Sequence, residues 1–306
     1  MTVSSSLHSG AVATLRRWPE PRAALTLIKP VTWFPPMWAY LCGAVSAGGS
    51  FAASWGLVLL GMVLAGPIVC GMSQAANDWC DRHVDAINEP DRPIPSGRIP
   101  GRWGLWIALA MSALSLAVGA LLGPWGFAAT VAGVLAAWAY SAEPVRLKRS
   151  GVWGPGLVGL SYETLPWLTG AAVVSAGAPR WETVTVAVLY GLGAHGIMTL
   201  NDFKALEGDR QTGVNSLPVT LGPERAARVA CWVMAVPQIA VVALLAAWGR
   251  EWHAAAILVA LAGQTWAMRV MLTDPKGRAP WYNGPGVGLY VSGMMVAAFA
   301  LRGLAS

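Results

Sequence analysis

The chain has 306 residues, of which 55% are hydrophobic and only 12% charged, and its mean hydropathy is +0.51. A soluble domain carries about 25% charged residues, so this composition excludes a soluble globular protein and indicates an integral membrane protein. The net charge of +6 gives no reason to expect a nucleic-acid partner, because the distribution of basic residues over the loops explains it. The four cysteines form no C-x-x-C pair, which argues against a zinc site or a disulfide framework.

Residues 1–24 are polar and lack the apolar stretch of a signal peptide, so we expect a short cytoplasmic tail or surface helix. Apolar segments then follow at 25–47, 54–76, 103–122, 125–141, 154–176, 182–200, 226–248, 252–272 and 285–302. These nine segments predict an all-α protein with one domain, 25–306, in which nine transmembrane helices surround a central cavity. We expect the Pro35-Pro36 pair to bend the first helix.

The distribution of charge predicts the orientation of this bundle. If the side of residue 1 is inside, the tail and the loops after even-numbered segments hold 18 of the 21 Lys and Arg residues. Such asymmetry places the N-terminus in the cytoplasm. The acidic residues concentrate on the same side, so we expect the chemistry there.

Residues 77–98 interrupt the apolar pattern with five acids and three arginines. On a helix, Asp78, Asp81 and Asp85 fall on one face, and Asn77 joins it at a spacing of four from Asp81. Three neighbouring carboxylates repel one another, and a divalent cation removes that cost. Oxygen ligands of this kind suit Mg²⁺ bound together with a substrate diphosphate. The alternative is a solvated polar loop between two membrane helices.

A second acidic cluster lies at residues 201–210, after the sixth apolar segment, and like the first it begins Asn-Asp. Asp202 and Asp209 are seven residues apart and therefore share a helical face, whereas Glu207 points somewhat away. The matching positions of the two clusters indicate an internal repeat. Two carboxylate clusters facing each other across a cavity suit a site that clamps a diphosphate through Mg²⁺.

The pattern Asn77-Asp78-x-x-Asp81-x-x-x-Asp85, with the second acidic motif, resembles the UbiA superfamily of intramembrane prenyltransferases over residues 25–300. The run 91–98 (Asp-Arg-Pro-Ile-Pro-Ser-Gly-Arg) and the run 201–204 (Asn-Asp-Phe-Lys) are similar to the chlorophyll and bacteriochlorophyll synthase branch, most of all to its bacteriochlorophyll members. One position departs from the family pattern. The second motif is commonly Asp-x-x-x-Asp, but Ala205 stands four residues before Asp209, so Asp202 or Glu207 must supply the missing oxygen.

The resemblance implies an enzyme that transfers a geranylgeranyl or phytyl group from its diphosphate to the propionate of (bacterio)chlorophyllide. It implies a bacterial inner membrane, cytoplasmic or photosynthetic, with the active site facing the cytoplasm and membrane lipid around it. Pigment-biosynthesis or assembly proteins are candidate partners. An allylic diphosphate ionises readily, so the protein mainly stabilises the departing charge, and the acceptor carboxylate is already an anion.

The resemblance also assigns roles to residues. The expected Mg²⁺ ligands are Asn77, Asp78, Asp81, Asp85, Asp202, Glu207 and Asp209, of which Asp81, Asp85, Asp202 and Asp209 are the expected catalytic set. The expected diphosphate contacts are Arg82, Arg92, Arg146, Lys148, Lys204 and Arg210, with the loop charge of a cytoplasmic face as the alternative. Candidate pigment contacts are Tyr162, Glu163 and His195, because ionisable groups at membrane depth are uncommon, and interhelical packing is the competing explanation.

Two other functions fit parts of the pattern. A related prenyltransferase would act on a quinone precursor or a haem. A transporter would carry ions on its intramembrane acids, but here the acids cluster in loops at one face rather than in broken helices at mid-depth.

Overall fold

A computed structural model describes residues 17–49 and 51–305, the side chains of 51 and 52 excepted. Residues 1–16, which form most of the predicted tail, lie outside the described part. The helices are α1 (Pro21–Leu27), α2 (Phe34–Ser46), α3 (Phe51–Val63), α4 (Gly71–Asn88), α5 (Trp103–Leu121), α6 (Gly123–Ser141), α7 (Trp153–Gly159), α8 (Leu165–Ser175), α9 (Trp181–Asn201), α10 (Leu206–Thr212), α11 (Leu217–Leu221), α12 (Pro223–Ala247), α13 (Glu251–Met271), α14 (Pro275–Tyr282) and α15 (Pro285–Ala305). Over these ranges the only β pairing is an isolated bridge between Ser150 and Asn215. The predicted all-α class is confirmed.

Six helical stretches in the described residues are long and apolar enough to cross a membrane. They are Ala53–Asn88, Trp103–Leu121, Trp181–Lys204, Pro223–Ala247, Glu251–Met271 and Pro285–Ala305. The chain is therefore an integral membrane protein. The three other predicted segments are also helical, as α2, α6 and the interrupted pair α7 and α8, but they do not meet the same criteria of length and hydropathy.

The first apolar segment breaks earlier than expected. The chain leaves α1 at Lys29, whose φ of 44° is left-handed, and passes through a short 3-10 turn into α2. Pro35 and Pro36 occupy the first turn of α2. Proline is tolerated there because the N–H groups of the first turn have no intrahelical acceptor, so the interruption of the first apolar segment falls directly before this pair.

Two π-helical turns interrupt the membrane helices. One, Leu64–Cys70, contains Pro67 and joins α3 to α4. The other, Leu160–Thr164, joins α7 to α8 just before Pro166. Proline removes a backbone donor and pushes against the preceding turn, and a widened turn absorbs both effects. The two π turns face each other in the folded chain, because the Cys70 Sγ and Tyr162 hydroxyl oxygen lie 3.3 Å apart.

Helices α2 and α8 pack at backbone contact through glycine. A Cβ added to Gly43 would lie 1.9 Å from the Trp167 carbonyl oxygen, and one added to Gly170 would lie 2.2 Å from that of Tyr40. Small residues permit such close approach in membrane helices, where dispersion contacts replace the hydrophobic driving force. This contact fixes one wall of the cavity described below.

Candidate active site

The first acidic motif lies on α4, as the predicted helix requires. The helix divides the motif between two surroundings. Asn77 lines a large cavity inside the bundle, whereas Asp78 lines a separate pocket beside the loop that follows α4. Asp78 and Asp85 are buried, at 2% and 7% exposure. Buried carboxylates need partners, and the flanking segments supply them.

Arg92, from the loop after α4, folds back onto the helix and holds both buried carboxylates. Its guanidinium donates to Asp85 Oδ2 at 2.9 Å and lies 3.4 Å from Asp78 Oδ1, and it also pairs with Glu89. Lys29 approaches Asp78 Oδ1 at 2.7 Å. The other oxygen, Asp78 Oδ2, is buried and has no hydrogen-bond partner in the described part of the chain.

Asp81 is held by the loop after α6. Its Oδ1 accepts a hydrogen bond from the Arg146 guanidinium at 3.0 Å and forms an ion pair with Lys148. Arg146 also binds Glu143 at 3.0 Å, which orients the guanidinium. Burial lowers the pKa of Lys148, and the charge of Asp81 opposes that shift. Two cations therefore converge on one carboxylate.

The second motif does not form the single helix that the spacing predicted. α9 ends at Asn201, a 3-10 turn covers Asp202–Lys204, and α10 begins at Leu206. The 3-10 turn places residues three apart on the same side, so that Phe203 and Leu206 are both buried. The core contacts of these two side chains thus override the continuous helix.

The carboxylates of the second motif have unequal surroundings. Asp209 Oδ2 accepts a hydrogen bond from the Ser216 hydroxyl at 2.7 Å. Burial raises the pKa of Asp209, while the Ser216 hydrogen bond and the charge of Lys148 oppose the rise. Asp202 is half-buried and makes no ion pair or side-chain hydrogen bond in the described residues.

Backbone contacts bring the two motifs to the same end of the bundle. The loop after α6 pairs with the segment after α10, because Asn215 N–H donates to the Arg149 carbonyl at 3.0 Å and Gly151 N–H donates to the Asn215 carbonyl at 2.9 Å. A Cβ on Gly208 in α10 would lie 3.5 Å from Asn88 Nδ2 at the end of α4.

Two side chains connect the motifs electrostatically. Tyr140, at the end of α6, lies near enough to Asp81, Asp202 and Asp209 for its hydroxyl to interact with the charge of each carboxylate. Lys148 interacts with both Asp81 and Asp209. The two acidic clusters, more than 100 residues apart in sequence, therefore share one electrostatic environment.

A cavity of about 730 Å³ extends from this end into the bundle. Most of its wall is apolar, including Leu64, Val69, Gly133 and Val291. Its polar wall residues include Ser73, Gln74, Asn77, Tyr140, Ser141, Tyr162, Glu163, Asn201, Lys204 and Asn283. An apolar cavity whose mouth carries Asn77, Asn201 and Lys204 suits an amphipathic ligand with a charged head and a hydrocarbon tail.

Of the sequence-predicted site residues, Asn77, Tyr162, Glu163 and Lys204 line this cavity, and the others do not. Arg82 stacks over its own helix neighbour Trp79 and donates to that backbone. Glu207 and Arg210 are exposed on α10. His195 Nε2 lies 3.1 Å from the Val152 carbonyl, so this histidine ties α9 to the start of α7.

The sequence reasoning missed several groups that the fold brings to the site. Lys29 is a partner of Asp78, and Asn283 donates to Asn201 Oδ1 at 3.0 Å from the far end of the chain. Gln74 donates to the Tyr162 hydroxyl at 3.0 Å. The sequence could have indicated Gln74, since it lies one helical turn before Asp78 on the same helix. Nothing in the local sequence around Asn283 indicated its role.

The side chains at the mouth are chemically suited to a hard divalent cation. Carboxylate and amide oxygens are the ligands that Mg²⁺ prefers, and Asp202 carries a carboxylate that no cation neutralises in the described structure. The ligands are not gathered in advance, however. In residues 17–49 and 51–305 no three His, Cys, Asp or Glu side chains lie close enough together to hold a metal ion. The cause is local, since Asp78, Asp81 and Asp85 are each held by basic side chains.

Comparison with known proteins places this site in a family. Residues 33–284 match the model of the UbiA prenyltransferase family. The 33 kDa chain of bacteriochlorophyll synthase from Cereibacter sphaeroides is 71% identical over 99% of both chains. That of Rhodobacter capsulatus is 68% identical over 94% of this chain and 96% of its own.

Solved structures share the fold at low sequence identity. A digeranylgeranylglyceryl phosphate synthase superposes with a TM-score of 0.69 at 20% identity, covering 91% of this chain and 98% of its own. A UbiA homologue from Archaeoglobus fulgidus bound to DMAPP and Mg²⁺ superposes with a TM-score of 0.63 at 22% identity, covering 92% and 99%. The predicted family is confirmed, and this chain belongs to the UbiA prenyltransferase family.

Proposed function

We propose that this prenyltransferase transfers a geranylgeranyl or phytyl group from its diphosphate to the propionate of bacteriochlorophyllide or chlorophyllide. The observation that carries the proposal is that the two acidic motifs share one electrostatic environment with Lys148, next to an apolar cavity lined by Asn77, Asn201 and Lys204 of these motifs. The similarity to bacteriochlorophyll synthase over nearly the whole chain supports the choice of acceptor.

Each part of the mouth has a role in this reaction. Asn77, Asp81 and Asp85 on one side and Asp202, Asp209 and, less centrally, Glu207 on the other would hold Mg²⁺, with Asp78 held back by Lys29. The bound metal would neutralise charge on the leaving diphosphate. Arg146 and Lys148, which pair with Asp81 here, would contact the diphosphate oxygens, and Lys204 in the cavity wall would add positive charge beside them.

The remaining residues bind and shield the reactants. The apolar wall holds the prenyl chain and excludes water from the allylic cation, which water would otherwise capture. The acceptor propionate attacks as an anion, so the chain needs no general base. Arg92 secures the loop over α4 and keeps Asp85 in place, while Arg82 and Arg210 contribute to the positive field around the mouth.

The proposal includes the membrane arrangement. We infer nine membrane-crossing segments in residues 25–306, an N-terminal tail in the cytoplasm and a cytoplasmic active site in the bacterial inner membrane. The excess of basic residues on one side supports this orientation. A cysteine placed at the exposed Asp91 should react with an impermeant maleimide only from the cytoplasmic side, and reaction from the periplasm would reverse the topology.

The decisive experiment uses purified full-length protein in lipid nanodiscs with Mg²⁺ and geranylgeranyl diphosphate. Bacteriochlorophyllide, chlorophyllide, an aromatic acid and haem are supplied in separate reactions, and products are separated by chromatography. We expect esterified pigment and its loss on adding EDTA. Prenylation of the aromatic acid or haem alone would show that the acceptor assignment is wrong.

A further inference from the structure

Glu163 is a buried carboxyl group in the cavity wall, away from the acidic motifs. It lies in the π turn Leu160–Thr164, is 4% exposed and lines the cavity. The adjacent Thr164 hydroxyl donates to the Ala187 carbonyl at 2.9 Å. Ala187 precedes Asp202 by 15 residues along α9, a rise of about 20 Å. Glu163 is thus remote from the metal and diphosphate site.

No group in the described structure forms a hydrogen bond with the Glu163 carboxyl group. Its Oε2 has no hydrogen-bond partner. The nearby Tyr290 hydroxyl donates instead to the Tyr190 carbonyl at 2.5 Å, and the Tyr162 hydroxyl is bound by Gln74.

No cation compensates the carboxyl group either. Among the described residues, Lys204 supplies the basic side chain of the cavity wall, and it belongs to the second motif at the mouth. A carboxylate without a cation is costly in such surroundings, so the uncharged acid is the stable form. The uncharged acid presents one O–H donor and one carbonyl acceptor to the cavity.

The two proposed substrates differ in what they offer this group. A prenyl chain is a hydrocarbon and has no atom that can accept a hydrogen bond, and the diphosphate belongs about 20 Å away at the mouth. A tetrapyrrole acceptor carries carbonyl oxygens on the edge of its macrocycle. The part of the cavity around Glu163 therefore fits the acceptor ring and not the prenyl chain.

We propose that Glu163, as the uncharged acid, donates a hydrogen bond to a carbonyl oxygen on the macrocycle edge and so selects the acceptor. This inference rests on the proposed function, because it takes a tetrapyrrole as the acceptor. Glu163 then acts as a specificity-determining residue, distinct from the residues that bind metal and diphosphate.

The test uses full-length protein in nanodiscs and a series of chlorin propionic acids in which one peripheral carbonyl at a time is replaced by methylene. For the wild type, one replacement should lower kcat/KM for the acceptor by about tenfold, as expected for loss of one buried hydrogen bond. In Glu163→Leu, the ratio of kcat/KM for the intact acceptor to kcat/KM for the methylene analogue should fall to near one. Glu163→Gln, which keeps a donor, should preserve most of it. The KM for geranylgeranyl diphosphate should stay unchanged in both variants.

A spectroscopic measurement keeps the test independent of the folding of the variants. In resonance Raman spectra of the acceptor bound to wild-type protein, one carbonyl stretch should move to lower wavenumber, as hydrogen bonding requires. The inference is wrong if no carbonyl band shifts, or if Glu163→Leu discriminates between the acceptors as the wild type does. If wild-type protein esterifies no chlorin at all, the proposed function fails instead.

Discussion

Replacing Arg92 tests whether the loop after α4 is held by buried charge. Arg92→Met removes the guanidinium that contacts Asp85 at 2.9 Å and Asp78 at 3.4 Å. Asp78 keeps Lys29, but Asp85, only 7% exposed, loses its cation. Hydrogen bonds to charged groups contribute about 1.5–3 kcal/mol. The exposed pair with Glu89 adds little.

We discount this range because the Arg92 side chain is 25% exposed, and expect a loss of about 2 kcal/mol in the free energy of unfolding. Thermal unfolding in detergent, followed by circular dichroism, should show a Tm lower by a few degrees. Adding Asp85→Asn should restore more than half of the loss, because the unpaired charge is then gone. Arg102→Met, an exposed position in the same loop, is the matched control and should change stability by less than about 0.5 kcal/mol.

Two outcomes would refute this reasoning. If Arg92→Met unfolds at the wild-type temperature, Arg92 does not hold the loop. If Asp85→Asn gives no rescue in the double variant, the penalty does not come from an uncompensated Asp85 carboxylate. Either result would return Arg92 to the role of an ordinary basic loop residue.

Asp81→Asn should lower the rate of prenyl transfer by at least about 100-fold. Asp91→Asn, an exposed control in the same loop region, should leave the rate unchanged. Equal effects of the two substitutions would argue against a direct role for Asp81. Ser216→Ala removes the hydroxyl that donates a hydrogen bond to Asp209 and opposes the rise in the pKa of that carboxyl group. Protons then compete with magnesium at higher pH, so the pH at which calorimetric Mg²⁺ binding is lost should rise, and an unchanged midpoint would contradict this. Gly43→Ala forces a Cβ against a backbone carbonyl and should lower Tm in detergent, with a cost of about 1–3 kcal/mol. Gly56→Ala, where a Cβ meets nothing within 4 Å, should leave Tm unchanged.

The sequence was sufficient for the family and for the helix that carries the first acidic motif, because both depend on local patterns. Hydropathy identified the membrane segments, and the spacing of Asn77, Asp81 and Asp85 predicted the helix that the structure contains. The roles assigned to these residues stay predictions. The number of membrane-crossing segments also stays a prediction, since only six stretches of the described chain satisfy the length and hydropathy criteria.

Helical periodicity could not predict which basic side chains pair with the aspartates of the first motif. The spacing placed Asp78, Asp81 and Asp85 on one face, yet the structure pairs Asp78 and Asp85 with Arg92 and pairs Asp81 with Arg146. Those partners come from loops whose return onto the helix depends on tertiary packing. The break at Ala205 has a similar origin, because the burial of residues on either side of it decides the local geometry.

The paired carboxylates constrain how a metal enters this site. Asp78, Asp81 and Asp85 each already have a cation, so magnesium bound to them as proposed would have to displace Lys29, Arg92, Arg146 or Lys148. Displacing them alone would leave half-buried positive charges without partners, which is unfavourable. A diphosphate arriving with the metal supplies those partners, because its oxygens accept the displaced guanidinium and ammonium donors. The ion pairs seen here therefore favour joint binding of magnesium and diphosphate over binding of the metal alone.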